Sequence, residues 1–274
     1  MPAEPTREAE RYCCVKLEKE GAIDWLTLNR PEQLNALDYA LTGELLDYFH
    51  RLKDDNATRV VVLRGAGRHF CAGLDLKEAD ATDTRGGVAA ALKRQRALAE
   101  VIVRMRRAPQ PIISLVHGAA AGGGFALALA ADVRYAGKSA RMNVAMAKIG
   151  LTGCDLGISY HLTRAVGQST ASELMLTGRF IDAARALRTG LVCNVVPDDQ
   201  LETTGRALAL DMLRMSPIGL RFSKEGVNFA LDASSLEAAI AMEDRQQLVA
   251  AATADYAEGV AAFLEKREPR YRGI

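Results

Sequence analysis

The chain has 274 residues, 49% hydrophobic and 25% charged, with a formal net charge of +1. Its length suits one large or two small domains with a self-sufficient core, and its composition excludes a disordered or low-complexity chain. The near-zero charge argues against a nucleic-acid partner, which calls for a clear basic excess.

The five cysteines (Cys13, Cys14, Cys71, Cys154 and Cys193) are odd in number and contain no C-x-x-C pair. That pattern argues against a disulfide framework or a structural zinc site and for reduced thiols in the cytoplasm. The polar amino terminus MPAEPTREAERYCC lacks the apolar core of a secretory signal. The most apolar stretch, 118–131, is shorter than the ~20 residues that span a bilayer, so no membrane partner is expected.

In chain order, 12–19 and 22–28 read as two strands around Glu20-Gly21, a hairpin signal. Asn29-Arg30-Pro31 breaks the second strand. A helix is predicted after Asp38, a suitable N-cap, with Leu41, Leu45, Leu46, Phe49 and Leu52 at helical spacing. The run 59–64 (RVVVLR) is a buried strand, and 66–85 is a long loop of the kind that often carries function. A helix over 87–107 stops at Pro109 and Pro111, and 112–116 is a further buried strand. A run of alanines and glycines then leads into an Ala/Leu helix ending near 131, with strands near 132–136 and 142–145. After a loop over 150–157 the chain is mostly helical, ending in an amphipathic stretch over 255–266. An α/β core over 1–199, carrying the candidate pocket, and a helical region over 200–274 are predicted.

Two strings carry candidate chemistry. In PIISLVHGAAAGGGFALALAADVRYAG (111–137) a buried strand meets three glycines and a helix start. Glycines permit close approach, and a helix start offers unpaired N–H groups suited to a phosphate or a developing oxyanion. No G-K-[ST] follows, so it is not a Walker A loop, nor does it match G-x-G-x-x-G with a ribose-binding acid. The other reading is tight helix–strand packing. In RHFCAGLDLKEAD (68–80) the Ala72-Gly73-Leu74 turn can present a second N–H. Two donors from separate loops make an oxyanion hole.

Together these strings resemble the crotonase superfamily, the enoyl-CoA hydratase/isomerase family, over about 12–272. Also similar are LNRPEQLNALD (28–38) to its early CoA-contacting turn, 162–197 to its helix–helix–strand segment, and AAFLEKREPRY (261–271) to its C-terminal helix. The resemblance implies an α/β fold built as a β-β-α spiral, with a helical C-terminal region used in a homotrimer or homohexamer. It implies an acyl-CoA thioester substrate, with CoA as part of that substrate and no separate cofactor or metal. The thioester oxygen is expected between the N–H groups of Leu74 and Gly123. Ala36, Ala72, Asp75 and Leu76 are expected along the CoA pocket, with Lys77 either near a CoA phosphate or solvated.

The chain departs from the hydratase pattern at two places. GGGFA puts Ala126 where GGGCE has glutamate, and 146–150 (MAKIG) has no carboxylate where P-E-x-x-L-G does. Asp155, in GLTGCDLGISYHL, resembles the aspartate of dienoyl-CoA isomerases. The implied role is a proton shuttle, the other reading a helix N-cap. Alternatives are a thioester or carbon–carbon hydrolase, or a non-catalytic acyl-CoA binder.

Blander readings apply to other candidates. His161 is read as a satisfied or interfacial histidine, His117 as a turn residue, and His69 as a solvated loop residue. Cys154 is read as small apolar filler, Tyr160 as core packing, and Glu100 as an exposed helix residue. Lys224 is read as a surface or CoA-rim residue.

Overall fold

The computed structural model describes residues 11–78 and 87–273. The first ten residues, and the part of the loop predicted over 66–85 that runs from 79 onward, lie outside the described residues.

Strands β1 (Val15–Glu20) and β2 (Ile23–Leu28) form the predicted hairpin, antiparallel from Val15↔Leu28 to Glu20↔Ile23. Helix α1 (Tyr39–Leu52) starts where the Asp38 carboxylate accepts the Leu41 N–H, as an N-cap does. Then come β3 (Val60–Gly65), α2 (Gly87–Arg107) and β4 (Ile112–Val116), all near their predicted positions. Next are β5 (Ala119–Ala121), α3 (Gly123–Ala130), β6 (Val133–Gly137) and β7 (Arg141–Asn143). The chain continues through α4 (Ile158–Thr177), β8 (Ile181–Asp182), α5 (Ala183–Arg188) and β9 (Asn194–Val196). It ends in α6 (Leu201–Leu213), α7 (Pro217–Ala230), α8 (Leu236–Ala251) and α9 (Ala254–Glu265).

Six strands make one sheet in the order β1-β2-β3-β4-β6-β9, parallel from β2 onward. Its central strands are buried on both faces, and the two-residue period of a strand divides their side chains between two cores. Leu26, Leu28, Val61, Leu63, Ile112 and Val116 join the larger core with α1, α2, α3 and α4. Ile23, Trp25, Val60, Val62, Ile113 and Leu115 face the opposite way, against Leu201 and Ala209 of α6. Gly205 lets α6 seat on the sheet, since a Cβ there would lie 2.6 Å from Leu115 Cδ2. The first helix of the C-terminal region thus closes the core's second layer.

The small sheet β5-β7-β8 is hard to read from the sequence. Three alanines have little strand preference. They form β5 by parallel pairing with Arg141–Asn143 and through a bridge between Ala120 and Cys71. Residues 144–145 leave the predicted strand, and a 3-10 turn covers Ala145–Ile149.

Lys224 corrects its reading as a surface or rim residue. It is buried on α7, and its Nζ lies 2.8 Å from Asp132, 2.9 Å from the Gln110 carbonyl and 3.2 Å from that of Met105. Helix α8 buries no residue, and Leu236, Leu248, Phe263 and Leu264 are all well exposed. Among the described residues no helix is long and apolar enough to cross a membrane.

Candidate active site

The geometry around the two expected donors follows from peptide planarity. In a trans peptide the C=O of one residue and the N–H of the next point in opposite directions. The Gly73 carbonyl accepts the Leu37 N–H at 2.7 Å, so the Leu74 N–H points away from Leu37. The Gly122 carbonyl accepts the Ala126 N–H at 3.0 Å, so the Gly123 N–H points out of the start of α3. Among the described residues neither N–H has an acceptor. The two loops touch: a Cβ on Gly73 would lie 3.3 Å from the Gly123 nitrogen and 2.6 Å from the Ala121 carbonyl oxygen. Gly73 has φ +93°, a second reason for glycine at this contact.

The three glycines of 122–124 play different parts. Gly122 takes φ +51° as the N-cap of α3. Gly123 carries the free N–H. Gly124 is packing: a Cβ there would fall 2.2 Å from the Cys71 carbonyl oxygen. The packing reading of this run holds at Gly124, while Gly123 keeps an N–H without an acceptor among the described residues.

Two pockets lie between α1 and α2 and share Leu37, Thr42 and Leu98. The outer one is lined also by Tyr39, Leu74, Asp75 and Arg94, and the small inner one by Leu45, Ile102, Gly123 and Leu156. The outer carboxylates are engaged. Asp38 caps α1 and pairs with Arg30 at 2.8 Å; Asp75 lies 3.4 Å from Arg30 and accepts the Lys77 N–H; Glu78 accepts the Tyr39 N–H at 2.8 Å. Ala36 is buried beside Arg30, which bonds its carbonyl; Ala72 is half-buried; Leu76 and Lys77 are exposed.

Asp155 is half-buried and directly precedes Leu156, a wall residue of the inner pocket. The next residue, Leu156, lies buried with φ +47°, its Cδ1 3.5 Å from where a Gly123 Cβ would stand. The Asp155 side chain is not the cap of α4: Gly157 holds that position and no side chain caps it. Instead Asp155 Oδ1 accepts two hydrogen bonds, from the Leu156 N–H at 2.8 Å and from the Gln95 amide on α2. Among the described residues Oδ2 has no donor. Gln95 gave no sequence signal, being one of several polar residues on an exposed helix face. Ala126 is buried in α3, and Met146 is the buried residue of the 3-10 turn, so apolar side chains occupy these parts of the site.

Several secondary readings change. His69 is not merely solvated, because its Nδ1 accepts the Ala119 N–H at 3.1 Å and steadies the entry to β5. Tyr160 is exposed and donates to Asp232, with the Arg164 guanidinium 3.6 Å from its ring centre, so it is not core packing. Cys154 is exposed and is not filler. His117 keeps its turn role through Nε2 and the Gly67 carbonyl at 2.9 Å, and Glu100 pairs with Arg104 on α2.

His161 is partly buried against Tyr160 and Gly157. Burial, with Arg106, Arg134 and Arg164 nearby, pushes its pKa down to about 4, opposed by Asp232. The unfolded chain therefore binds the extra proton between about pH 6.5 and 4. Stability from the neutral ring is complete above that window and is lost as pH falls through it. The expected loss is about 2 kcal/mol after discounting for partial exposure. Urea unfolding of wild type and His161→Phe across this window checks it; equal slopes against pH would refute the assignment.

The model of the family described as Enoyl-CoA hydratase/isomerase matches residues 18–273. A Mycobacterium tuberculosis protein named probable enoyl-CoA hydratase EchA12 is 43% identical over 251 residues, covering 90% of this chain and 88% of its own. The 1,2-epoxyphenylacetyl-CoA isomerase of Escherichia coli is 35% identical over 254 residues, covering 93% and 96%. Among solved structures, an enoyl-CoA hydratase from Bacillus anthracis superposes with a TM-score of 0.90 at 32% identity, covering 96% of this chain and 100% of that one.

Proposed function

This chain belongs to the enoyl-CoA hydratase/isomerase family, and on that premise we propose that it moves a double bond in an enoyl-CoA through a thioester enolate, with Asp155 as the single proton shuttle. The observation that carries the reading is Asp155 itself. It is a carboxylate one residue from the wall of the Gly123 cavity, with Oδ1 held by two donors and Oδ2 left for the substrate.

In the proposed reaction Oδ2 removes a proton from the carbon between the thioester and the double bond. The electron pair moves into the thioester carbonyl, and the Leu74 and Gly123 N–H groups stabilise the oxygen's negative charge. The neutral carboxyl, exchanging its proton with solvent, then protonates the far end of the dienolate, giving the conjugated enoyl thioester. One base is sufficient, because it acts on one face of the substrate and ends as it began. Hydration needs a positioned water as well as a proton donor. Ala126 and 146–150 supply no carboxylate for that task, which favours isomerisation.

The CoA portion is proposed to run past Ala36, Ala72, Asp75, Leu76 and Lys77, with Asp75 holding the turn through Arg30. The scheme draws on no metal or redox cofactor. The exposed apolar residues of α8 and α9 support a trimer or hexamer of identical subunits.

Incubation with 2-enoyl-, 3-enoyl- and dienoyl-CoAs in D₂O, read by mass spectrometry, tests the reading. Deuterium uptake with isomerisation of a 3-enoyl-CoA is expected. Tight binding without exchange of any thioester would leave a binder, and release of free CoA a hydrolase.

A further inference from the structure

On the reading that Asp155 is the base, we infer that Gln95 is the positioning residue that aims its carboxylate at the substrate. Asp155 opens a stretch of left-handed backbone, with Leu156 at φ +47° and Gly157 at φ +74°. Such residues belong to no helix or ladder that would fix them, so the contacts of the loop decide where the carboxylate stands. Of the two donors on Oδ1, the Leu156 N–H is part of the loop and moves with it. The Gln95 amide is not: it comes from α2, 60 residues away in the chain. Among the described residues it is the donor that ties this carboxylate to the rest of the molecule.

The helical period places Gln95 there. Residues 95, 98 and 102 stand at i, i+3 and i+7, on one stripe of α2. Leu98 and Ile102 line the inner pocket. Ile102 also meets the far end of the loop, its Cγ2 3.8 Å from where a Gly157 Cβ would stand. Gln95 is the polar end of the stripe, so one face of α2 walls the pocket and meets the loop at both Asp155 and Gly157. Asp155 is thereby held in register with the pocket that Gly123 lines. Gln95 occupies Oδ1, and Oδ2 is left to take the proton. Without the amide the carboxylate can turn on its own bond, and the reacting oxygen spends less time within the roughly 3–3.5 Å that proton removal requires. The loss falls on the chemical step and not on binding.

Gln95 is exposed, and glutamine, methionine and glutamate are similar helix formers, so replacing it leaves the fold intact. The full-length enzyme is assayed with 3-hexenoyl-CoA by absorbance of the conjugated product, and calorimetry measures binding of the unreactive hexanoyl-CoA. Gln95→Met keeps the length and loses the donor. It is expected to lower kcat about tenfold, with KM and the hexanoyl-CoA Kd within about threefold of wild type. Gln95→Glu keeps the shape but sets a second carboxylate against Asp155, and its kcat at neutral pH is expected to fall further, by about 10²-fold. A role in helix packing alone would leave glutamate as good as glutamine.

Wild-type kcat in both variants, or a loss confined to KM, would overturn the inference and leave Asp155 standing as the base. No turnover by the wild type, or undiminished turnover in Asp155→Asn, would overturn the reading of Asp155, and the role of Gln95 with it.

Discussion

Asp155→Asn is expected to lower isomerisation of a 3-enoyl-CoA by about 10³-fold and to leave KM within about threefold. Asparagine matches aspartate in shape and keeps an oxygen that can accept from Gln95 and the Leu156 N–H, so the loop's geometry is retained. It removes the basic oxygen. On the proposed reading, substrate binding draws on the pockets between α1 and α2 and on the Leu74 and Gly123 N–H groups, none of which changes. The loss should therefore fall on kcat, and solvent deuterium should cease to enter the substrate. Continuous absorbance of the conjugated enoyl thioester measures the first effect and mass spectrometry the second. If turnover and exchange persist in the variant, Asp155 is not the base.

The sequence carried most of this architecture because local and global preferences agree there. The hairpin of β1 and β2, the Asp38 cap, and strands β3 and β4 each combine an apolar pattern with an adjacent turn or cap signal. The glycine run between β4 and α3 was legible as a close approach of chain segments, which Gly73 and Gly124 make. What stayed hidden depends on partners distant in the chain. Ala119–Ala121 becomes a strand only because β7 lies beside it. Tyr160 is exposed although its residue type favours burial, because Asp232 and Arg164 engage it at the surface. Gln95 meets Asp155, and Cys71 meets Asn35, through contacts that no spacing rule links to them.

Lys224 is the strongest case of such a hidden partner, and its replacement is expected to have the largest effect on stability. The side chain is 5% exposed. Burial pulls the ammonium's pKa down, and Asp132 opposes that pull. The lysine joins α7 to the end of α2 through Met105, to the approach of β4 through Gln110, and to Asp132 ahead of β6. Asp132 is also held by Arg106 at 3.1 Å and by the Ile112 N–H at 2.8 Å, so losing the lysine does not leave a bare carboxylate. It does leave two carbonyls without a donor and one charge pair broken in a dry place. Lys224→Met keeps the stem's volume and should cost about 3 kcal/mol. Because α8 buries no residue of its own and packs chiefly on α7, α7 is the tie between α8 and the rest of the molecule. The loss should therefore appear as local opening: native-state proteolysis within α7–α9 should quicken by about 10²-fold, the factor that 3 kcal/mol implies. Activity per folded molecule should change little, since Lys224 lies outside the residues lining the two pockets between α1 and α2. Urea unfolding that differs by less than about 1 kcal/mol, or unchanged proteolysis, would show that the helices are held by other contacts.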